Sequence, residues 1–360
     1  RSPARQRAVA AFRAAVRGAL FVLSVDRYLI PLEYTSCCRI YQCGVVSVFM
    51  KGLIVAAGYG TRFLPVTKTI PKEMLPLIDT PSIDFIVQEF VNSGITDILI
   101  ITSRRKKGLD DYFDREMELE TVFTRERAAE KGEKIRPAEA NIFFIRQREM
   151  RGTGHALLLA RPFMGDSPFV AAYPDDLHFG TPPLARQLVD VYEATGCSVM
   201  ATIHDPPNLH RYGVLEIAPD NLHVTDIVEK PTPGTEPSRE VSIGRYLYTP
   251  DIFENLQEGW EKHIGSAGSH KVKGSASEGT AMPGAYTAAD TAATGEYYHT
   301  YALKKLMKQN RVAYKRTEGL RLDTGTPEGY LRAILRYASE RPELRAVLEE
   351  ELKGIGNGTQ

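Results

Sequence analysis

Arg62 and Lys72 are the residues of this chain best suited by type and setting to neutralise phosphate. They sit in Ala56-Ala57-Gly58-Tyr59-Gly60-Thr61-Arg62-Phe63-Leu64-Pro65, followed by Lys68 and by Pro71-Lys72-Glu73-Met74-Leu75-Pro76. From Ala57 onward, Gly58 and Gly60 let the backbone approach phosphate oxygens closely, so that main-chain N–H groups become donors. Arg62 adds a planar fork of donors and Lys72 a point charge. The combination describes a cradle for a nucleoside triphosphate. Taken alone, Gly58-Tyr59-Gly60 is an ordinary glycine turn, but the basic residues and prolines that follow in series are not explained that way. The third glycine of a dinucleotide fingerprint is missing and no Gly-Lys-Ser/Thr follows, so neither familiar phosphate loop is present.

Other polar clusters follow in order along the chain. Arg146-Gln147 precedes Gly152-Thr153-Gly154-His155-Ala156, and Tyr173-Pro174-Asp175-Asp176 comes directly after an apolar run. That second position is the carboxyl end of a strand, where open α/β sheets bind ligands. Tyr212-Gly213, Val228-Glu229-Lys230-Pro231 and Gly244-Arg245-Tyr246 come next, then Leu322-Asp323-Thr324-Gly325-Thr326-Pro327. Each has a plainer reading: Gly-x-Gly after a strand is a common turn, Glu-Lys-Pro is a common solvated turn, and Asp323 could cap a helix starting near Pro327. Their serial order is what makes them informative.

The 51–76 segment resembles the signature of bacterial UTP–glucose-1-phosphate uridylyltransferases, within the larger sugar nucleotidyltransferase family, and the likeness extends with gaps over about residues 51–340. The resemblance implies that Gln147 and the Gly152 backbone read the edge of uracil, a task suited to an amide that donates and accepts at once. It implies a magnesium ligand at Asp175. Asp323, in a segment similar to the Asp-Thr-Gly-Thr of related thymidylyltransferases, would supply the second carboxylate of a Mg2+ site completed by phosphate oxygens and water. It further implies that Glu229 binds sugar hydroxyls, that Lys230 binds the sugar phosphate, and that Tyr212, Gly213 and Gly244 line the hexose pocket. The catalytic set is then Arg62, Lys72, Asp175 and Lys230; Ala57, Gly58, Gly60, Gln147 and Gly152 serve the nucleotide. Two departures stand out. Arg148 occupies a place where relatives often carry glycine. Gly295-Glu296-Tyr297-Tyr298-His299-Thr300-Tyr301 replaces a Gly-Asp-Glu-Ile-Gln-Leu-Thr-Asp-like run, with Tyr301 at the later aspartate. His155, His204, His210 and His299 show no metal-ligand spacing and read as packing or surface residues.

The elements that must position these residues alternate β, loop, α. Residues 53–57 form a continuous apolar run suited to a strand buried on both faces. A helix follows from Ser82, with Gly94 placed to end it. Residues 97–102, 142–146, 169–172 and 197–203 read as strands, and 155–161 and 184–194 as helices. This order predicts an α/β fold with a doubly wound, largely parallel sheet; the resemblance implies the Rossmann-like nucleotide-diphospho-sugar transferase fold. Residues 116–134 read as a solvated helical excursion. Short strands at 214–217, 224–229 and 242–248 suggest a small antiparallel sugar-binding region beside the main sheet. Helical spacing returns at 298–309 and 327–338, and a charged amphipathic tail ends the chain.

Of 360 residues, 43% are hydrophobic, enough for a sizeable core, and 45 basic residues balance 45 acidic ones. No global charge attracts nucleic acid or an anionic membrane. Cys37, Cys38, Cys43 and Cys197 are too few for a disulfide scaffold, and a zinc site at Cys38 and Cys43 lacks a second ligand pair. Unpaired thiols in a reducing cytoplasm are expected.

The predicted organisation is an N-terminal extension at 1–49, a nucleotidyltransferase domain at 50–340 with a Gly/Ala/Ser/Thr-rich flexible insertion at 265–295, and a helical tail at 341–360. The resemblance suggests a homo-oligomer, dimer or tetramer, acting on UTP and a sugar 1-phosphate. A thymidylyltransferase or another sugar-1-phosphate nucleotidyltransferase is the nearest rival, and a non-catalytic sugar-nucleotide sensor is a rival of another class. The first 49 residues hold seven arginines and two acids, with an apolar run at 19–25 too short to span a membrane. Met50 directly precedes the first strand, and we expect it to be the native start. Mass spectrometry of the native N-terminus should find Met50 or Lys51 there; a mature terminus well upstream overturns this.

Overall fold

The computed structural model describes residues 41–42, 45–46, 49–267 and 295–357. Contacts divide the chain into Arg1–Val48 and Phe49–Gln360. Of the first unit, two short antiparallel strands are described, Tyr41–Gln42 and Val45–Val46. The apolar run at 19–25, the three N-terminal cysteines and residues 268–294 of the expected insertion lie outside the described residues.

The second unit is built on a nine-stranded sheet. Strand β1 (Lys51–Val55) lies between β2 (Asp97–Thr102) and β4 (Phe169–Ala172), both parallel to it, and β3 (Asn141–Arg146) extends the parallel set beyond β2. The sheet continues with its direction reversed. A long strand, β9 (Glu240–Tyr248), pairs antiparallel with β4 on one side and with β6 (Ser198–His204) on the other, and β10 (Val312–Arg316) runs parallel to β6. At Val241, β9 also meets β7 (Gly213–Ile217), which pairs with β8 (Val224–Glu229). The expected antiparallel strands are therefore continuous with the main sheet rather than set beside it, because β9 fills the edge of β4.

Alternation along the central strands sends side chains to two cores. Ile54, Ile98 and Ile100 pack with Ile83, Ile86 and Phe90 of α1 (Ser82–Asn92) and Leu188 of α6 (Leu184–Thr195). Leu53, Leu99 and Ile101 face the other way, toward Leu157 of α5 (Thr153–Met164), Phe253 of α7 (Ile252–Ala267) and Leu303 of α8 (Thr300–Met307). Both faces are covered, which is why these strands read as unbroken apolar runs. Gly94 adopts φ +79 after α1, the left-handed geometry anticipated for its end. The 116–134 excursion consists of α3 (Met117–Glu126) and α4 (Ala129–Lys134), neither with a buried residue. No described helix is long and apolar enough to cross a membrane.

Several elements were not anticipated. Helix α7 has the right apolar spacing but carries Gly259, which reads as a breaker, and it runs on through that glycine, where an added Cβ would lie 2.4 Å from the Tyr297 hydroxyl. Helix α2 (Lys107–Phe113) begins in a run of basic residues that reads as solvated loop. Strands β5 (Asp176–Phe179) and β11 (Leu320–Asp323) form a ladder of their own, and each is too short and mixed in polarity to signal a strand. The chain ends in α9 (Pro327–Glu340) and α10 (Pro342–Asn357).

One ion pair ties these layers together from inside. Arg245 of β9 and Glu89 of α1 are almost fully buried and meet as a fork, with Nε–Oε1 at 3.0 Å and Nη2–Oε2 at 2.7 Å. Glu89 also accepts from the Ala185 N–H at the start of α6. Arg245→Met would leave the Glu89 carboxylate buried without its partner, a loss of about 3–5 kcal/mol. Chemical denaturation should show that loss, and Glu89→Leu combined with Arg245→Met should recover most of it.

Candidate functional site

The loop after β1 is held from beneath by a buried charge. Lys106, at the turn into α2, donates to the Ala56 carbonyl at 2.6 Å and to both oxygens of Glu73 at 2.7 Å. These partners sit on the two arms of the loop, so one ammonium group clamps both arms to the end of the sheet. Burial lowers the Lys106 pKa, with Glu73 opposing that fall. Gly60 takes φ +69, a conformation that favours glycine, and its carbonyl accepts from Thr67 Oγ1 at 2.7 Å. The clamp leaves Arg62 and Lys72 facing the carboxyl end of the sheet. Arg62 Nη1 donates to the Gly325 carbonyl at 3.0 Å, and Lys72 Nζ meets Asp175 Oδ2 at 2.6 Å.

Asp175 and Asp323, far apart in sequence, are brought together by the β5–β11 ladder, in which Asp323 is paired with Asp176. Thr324 reinforces this, its N–H and hydroxyl donating to the Asp175 carbonyl at 2.8 and 3.1 Å. A Cβ added at Gly325 would lie 3.1 Å from Asp323 Oδ1, 3.4 Å from Asp175 Oδ2 and 3.5 Å from Arg62 Nη1. Both carboxylates and the guanidinium therefore border one small volume. Burial opposes ionisation of Asp175, yet Lys72 holds its carboxyl below the usual range. Lys72 is in turn raised, since Asp175 and Glu73 outweigh its own burial. Asp323 is raised, first by burial and then by the charges of Asp176 and Asp175, with Arg321 opposing. The cap of α9 is Thr326, which accepts from the Gly329 N–H; Asp323 instead accepts from the Gly325 N–H within its own turn.

Gln147 is buried at the end of β3, its N–H bonded to the Thr102 carbonyl and its side-chain amide 3.3 Å from the Gly152 carbonyl and 3.1 Å from His155 Nδ1. Gly152 has φ +90, and a Cβ there would lie 2.4 Å from the Tyr297 carbonyl oxygen. The Gly154 N–H donates to that same oxygen, and the Tyr297 N–H to the Arg151 carbonyl. The divergent 295–301 run is thus laced to the base segment through its backbone, and its side chains add to this, the Tyr297 ring lying against Gly154 and His299 meeting Thr153. Tyr301 pairs with Lys262 and Glu258 on the helix surface. His299 is buried against Tyr173 and Tyr246, with Nδ1 2.9 Å from Thr153 Oγ1, so it is packing rather than surface.

The sugar-side residues gather at the β7–β8 hairpin. Gly213 pairs with Glu229, and a Cβ on Gly213 would lie 2.9 and 3.1 Å from the two Glu229 oxygens, so the carboxylate rests on the glycine. The Lys230 N–H donates to the Tyr212 carbonyl while Lys230 itself adopts φ +46, a strained conformation for a side-chain-bearing residue. Gly244 lies against Asp176, its N–H donating to Oδ2 at 3.0 Å.

The expected residues therefore form three groups. Arg62, Lys72, Asp175 and Asp323 converge directly; Gln147 and Gly152 form a second group, and Tyr212, Gly213, Glu229 and Lys230 a third. Gly244 meets the first group only through Asp176. Lys106, Asp176 and Arg321 escaped sequence reading. Lys106 hides in a charge run that looks solvated, Asp176 duplicates its neighbour, and nothing local marks Arg321. Among the described residues, no group of three or more His, Cys, Asp or Glu side chains could hold a metal ion. The two carboxylates are the oxygen donors on offer, a number that suits an ion shared with substrate phosphates.

An open, largely parallel sheet with a basic glycine loop after its central strand defines an α/β protein built to bind a nucleotide at the sheet's carboxyl end. The chain belongs to the nucleotidyl transferase family, whose model matches residues 51–340. It is 37% identical over 313 residues to the UTP–glucose-1-phosphate uridylyltransferase of Bacillus subtilis strain 168, covering 85% of this chain and 97% of that protein. The protein of the same name from Staphylococcus epidermidis strain RP62A is 37% identical over 311 residues, covering 85% and 98%. Among solved structures, a UDP-glucose pyrophosphorylase complexed with UDP-glucose superposes with a TM-score of 0.64 at 33% identity, covering 82% of this chain and 100% of that one. A UTP-bound enzyme of the same kind from Acinetobacter baumannii gives 0.68 at 26%, covering 87% and 100%.

Burial pushes the His299 pKa down to about 4. Between the ordinary value near 6.5 and that value, the unfolded chain takes up a proton that the folded chain refuses, so stability falls as pH falls through this window. Urea unfolding at a series of pH values should show His299→Phe losing about 3 kcal/mol less than the parent across it. Parallel curves would remove the assignment.

Proposed function

We infer that this chain transfers the uridylyl group of UTP to glucose 1-phosphate, releasing pyrophosphate and forming UDP-glucose. The observation behind this is the convergence of Arg62, Lys72, Asp175 and Asp323 beyond the central strand, in a chain whose relatives bear that activity in their names. An oxygen of the sugar phosphate attacks the α-phosphorus in line, and the bond from that phosphorus to the bridging oxygen breaks, the electron pair leaving with pyrophosphate. A phosphate monoester is already a nucleophile, so no general base and no covalent enzyme intermediate is required.

Positioning and charge neutralisation then supply the rate. The 57–60 backbone and Arg62 hold the triphosphate, Gln147 and the Gly152 carbonyl meet the uracil edge, and Glu229 takes the sugar hydroxyls in a pocket lined by Tyr212, Gly213 and Gly244. Lys230 holds the attacking phosphate. Lys72 pairs with Asp175, and a triphosphate held by this loop would compete for Lys72 and free that carboxylate. Asp175 and Asp323 would then hold Mg2+, which when bound neutralises charge between the reacting phosphates. We place the enzyme in the cytoplasm as a homo-oligomer, dimer or tetramer, which a light-scattering mass decides.

Pyrophosphate release measured over four nucleoside triphosphates and several sugar 1-phosphates, with and without magnesium, should be greatest for UTP with glucose 1-phosphate and should require the metal. A preference for thymidine triphosphate would transfer the activity to the thymidylyl branch, and no release with any pair would favour a sensor. Asp175→Asn should lower turnover by about a hundred-fold or more while the melting temperature changes little. Unchanged turnover would sink the metal assignment.

A further inference from the structure

Asp176 and Arg321 form a second, separate ion pair directly behind the reacting carboxylates. Arg321 Nε and Nη2 each lie 2.9 Å from an oxygen of Asp176, a two-point fork in a site where both side chains are mostly buried. The same guanidinium reaches in two further directions. Its Nη2 is 3.7 Å from Asp323 Oδ2, and its carbon lies 5.9 Å from the centre of the Tyr212 ring. Asp176 reaches in a third, accepting from the Gly244 N–H.

Two of these contacts join the sugar side to the carboxylate side, Arg321 with Tyr212 and Asp176 with Gly244, while the fork itself and the Arg321–Asp323 contact hold the carboxylate side together. Gly244 belongs to β9, and Tyr212 precedes β7 and fixes the Lys230 backbone through its carbonyl. Asp176 adjoins Asp175, and Arg321 shares β11 with Asp323. The nucleotide loop has different anchors: Lys106 with Glu73 and Ala56, Thr67 with Gly60, and the Tyr297 backbone with Gly152 and Gly154. Lys72 and Arg62 of that loop also reach Asp175 and the Gly325 carbonyl beside the pair, but none of these contacts is made to Asp176 or Arg321 themselves.

We propose that Asp176 and Arg321 are a positioning pair that sets the sugar-phosphate pocket at a fixed distance and angle from Asp175 and Asp323, and that it serves the sugar substrate rather than the nucleotide. The pair touches no reacting atom. The fork ties β5 to β11, and its contacts with Gly244 and the Tyr212 ring resist sliding of β9 and the β7–β8 hairpin relative to that ladder; in-line attack tolerates little such sliding. The proposal rests on the uridylyltransferase reading for the identity of the sugar substrate.

The test uses the full chain and the variants Asp176→Asn, Arg321→Gln and the double substitution, with Arg321→Lys as a fold-preserving alternative that keeps the charge and loses the fork. For each single variant, KM for glucose 1-phosphate should rise about ten-fold while KM for UTP stays within about two-fold. The double variant should be no worse than the worse single one, because one interaction is removed in all three. Equal rises in both KM values, or no change in either, would overturn the pair's role, as would independent, multiplying effects in the double variant. Calorimetric binding of UDP-glucose and of UTP separates this from the catalytic reading. If the parent chain turns over no substrate yet the variants lose UDP-glucose affinity and keep UTP affinity, the uridylyl transfer fails and the positioning pair stands.

Discussion

A lysine ammonium group shut away from water sets the geometry on which the site depends. Lys106 has three oxygens within hydrogen-bonding distance, two from Glu73 and one from the Ala56 carbonyl. Desolvating both charges is costly, and the arrangement is tolerable only because each oxygen of the carboxylate is used and the ammonium has a full set of acceptors. Its geometric effect is specific. The carbonyl fixes where β1 ends, the carboxylate fixes where the second arm of the loop returns, and Lys72 is the residue immediately before that carboxylate. A glycine loop gains freedom from its glycines, and here a buried charge takes that freedom back.

Charge is arranged in the same spirit around the site. Lys72 rests on Asp175, Arg321 on Asp176, and Arg62 on the Gly325 carbonyl. The first two contacts are charge pairs and the third is a neutral acceptor, so Arg62 is the cation whose charge no carboxylate matches at hydrogen-bonding distance. An anionic ligand in this volume meets a guanidinium with no carboxylate at hydrogen-bonding distance and a lysine that must exchange one carboxylate for a phosphate. The two neighbouring aspartates illustrate how position divides identical chemistry. Asp175 faces the ligand volume, while Asp176 turns back into the β5–β11 ladder and the β9 backbone.

Much of this was legible in the sequence. The central parallel strands announced themselves because both faces are buried and their interiors are apolar runs, and α1 because its spacing is regular and Gly94 stops it. The glycine loop, Gln147, Asp175 and the hairpin residues were found because they are clustered in chemistry-bearing runs. What stayed hidden depends on tertiary pairing. Leu320–Asp323 and Asp176–Phe179 are four-residue segments of mixed polarity, and only their mutual pairing makes them strands. Lys106 and Arg321 are indistinguishable locally from solvated surface cations; burial and partners define them, and neither is written in the neighbouring residues. The departure at 295–301 leaves its backbone bonds to the base segment in place, and its own side chains, Tyr297 and His299, pack against that segment.

The backbone bonds between Tyr297 and the 151–154 segment have a consequence in time. A ribosome delivers this chain from its N-terminus, and the parallel core of β1, β2, β3 and β4 is available once the first half of the domain has emerged. The base segment lacks its hydrogen-bonded partner until Tyr297 follows, and Asp175 lacks its companion carboxylate until Asp323 does. The parallel strands of the nucleotide half are thus made well before the residues that complete its cores and its centre. The site therefore joins residues made early to residues made late, and the centre is complete only when the stretch before α9 has paired with loops made long before it.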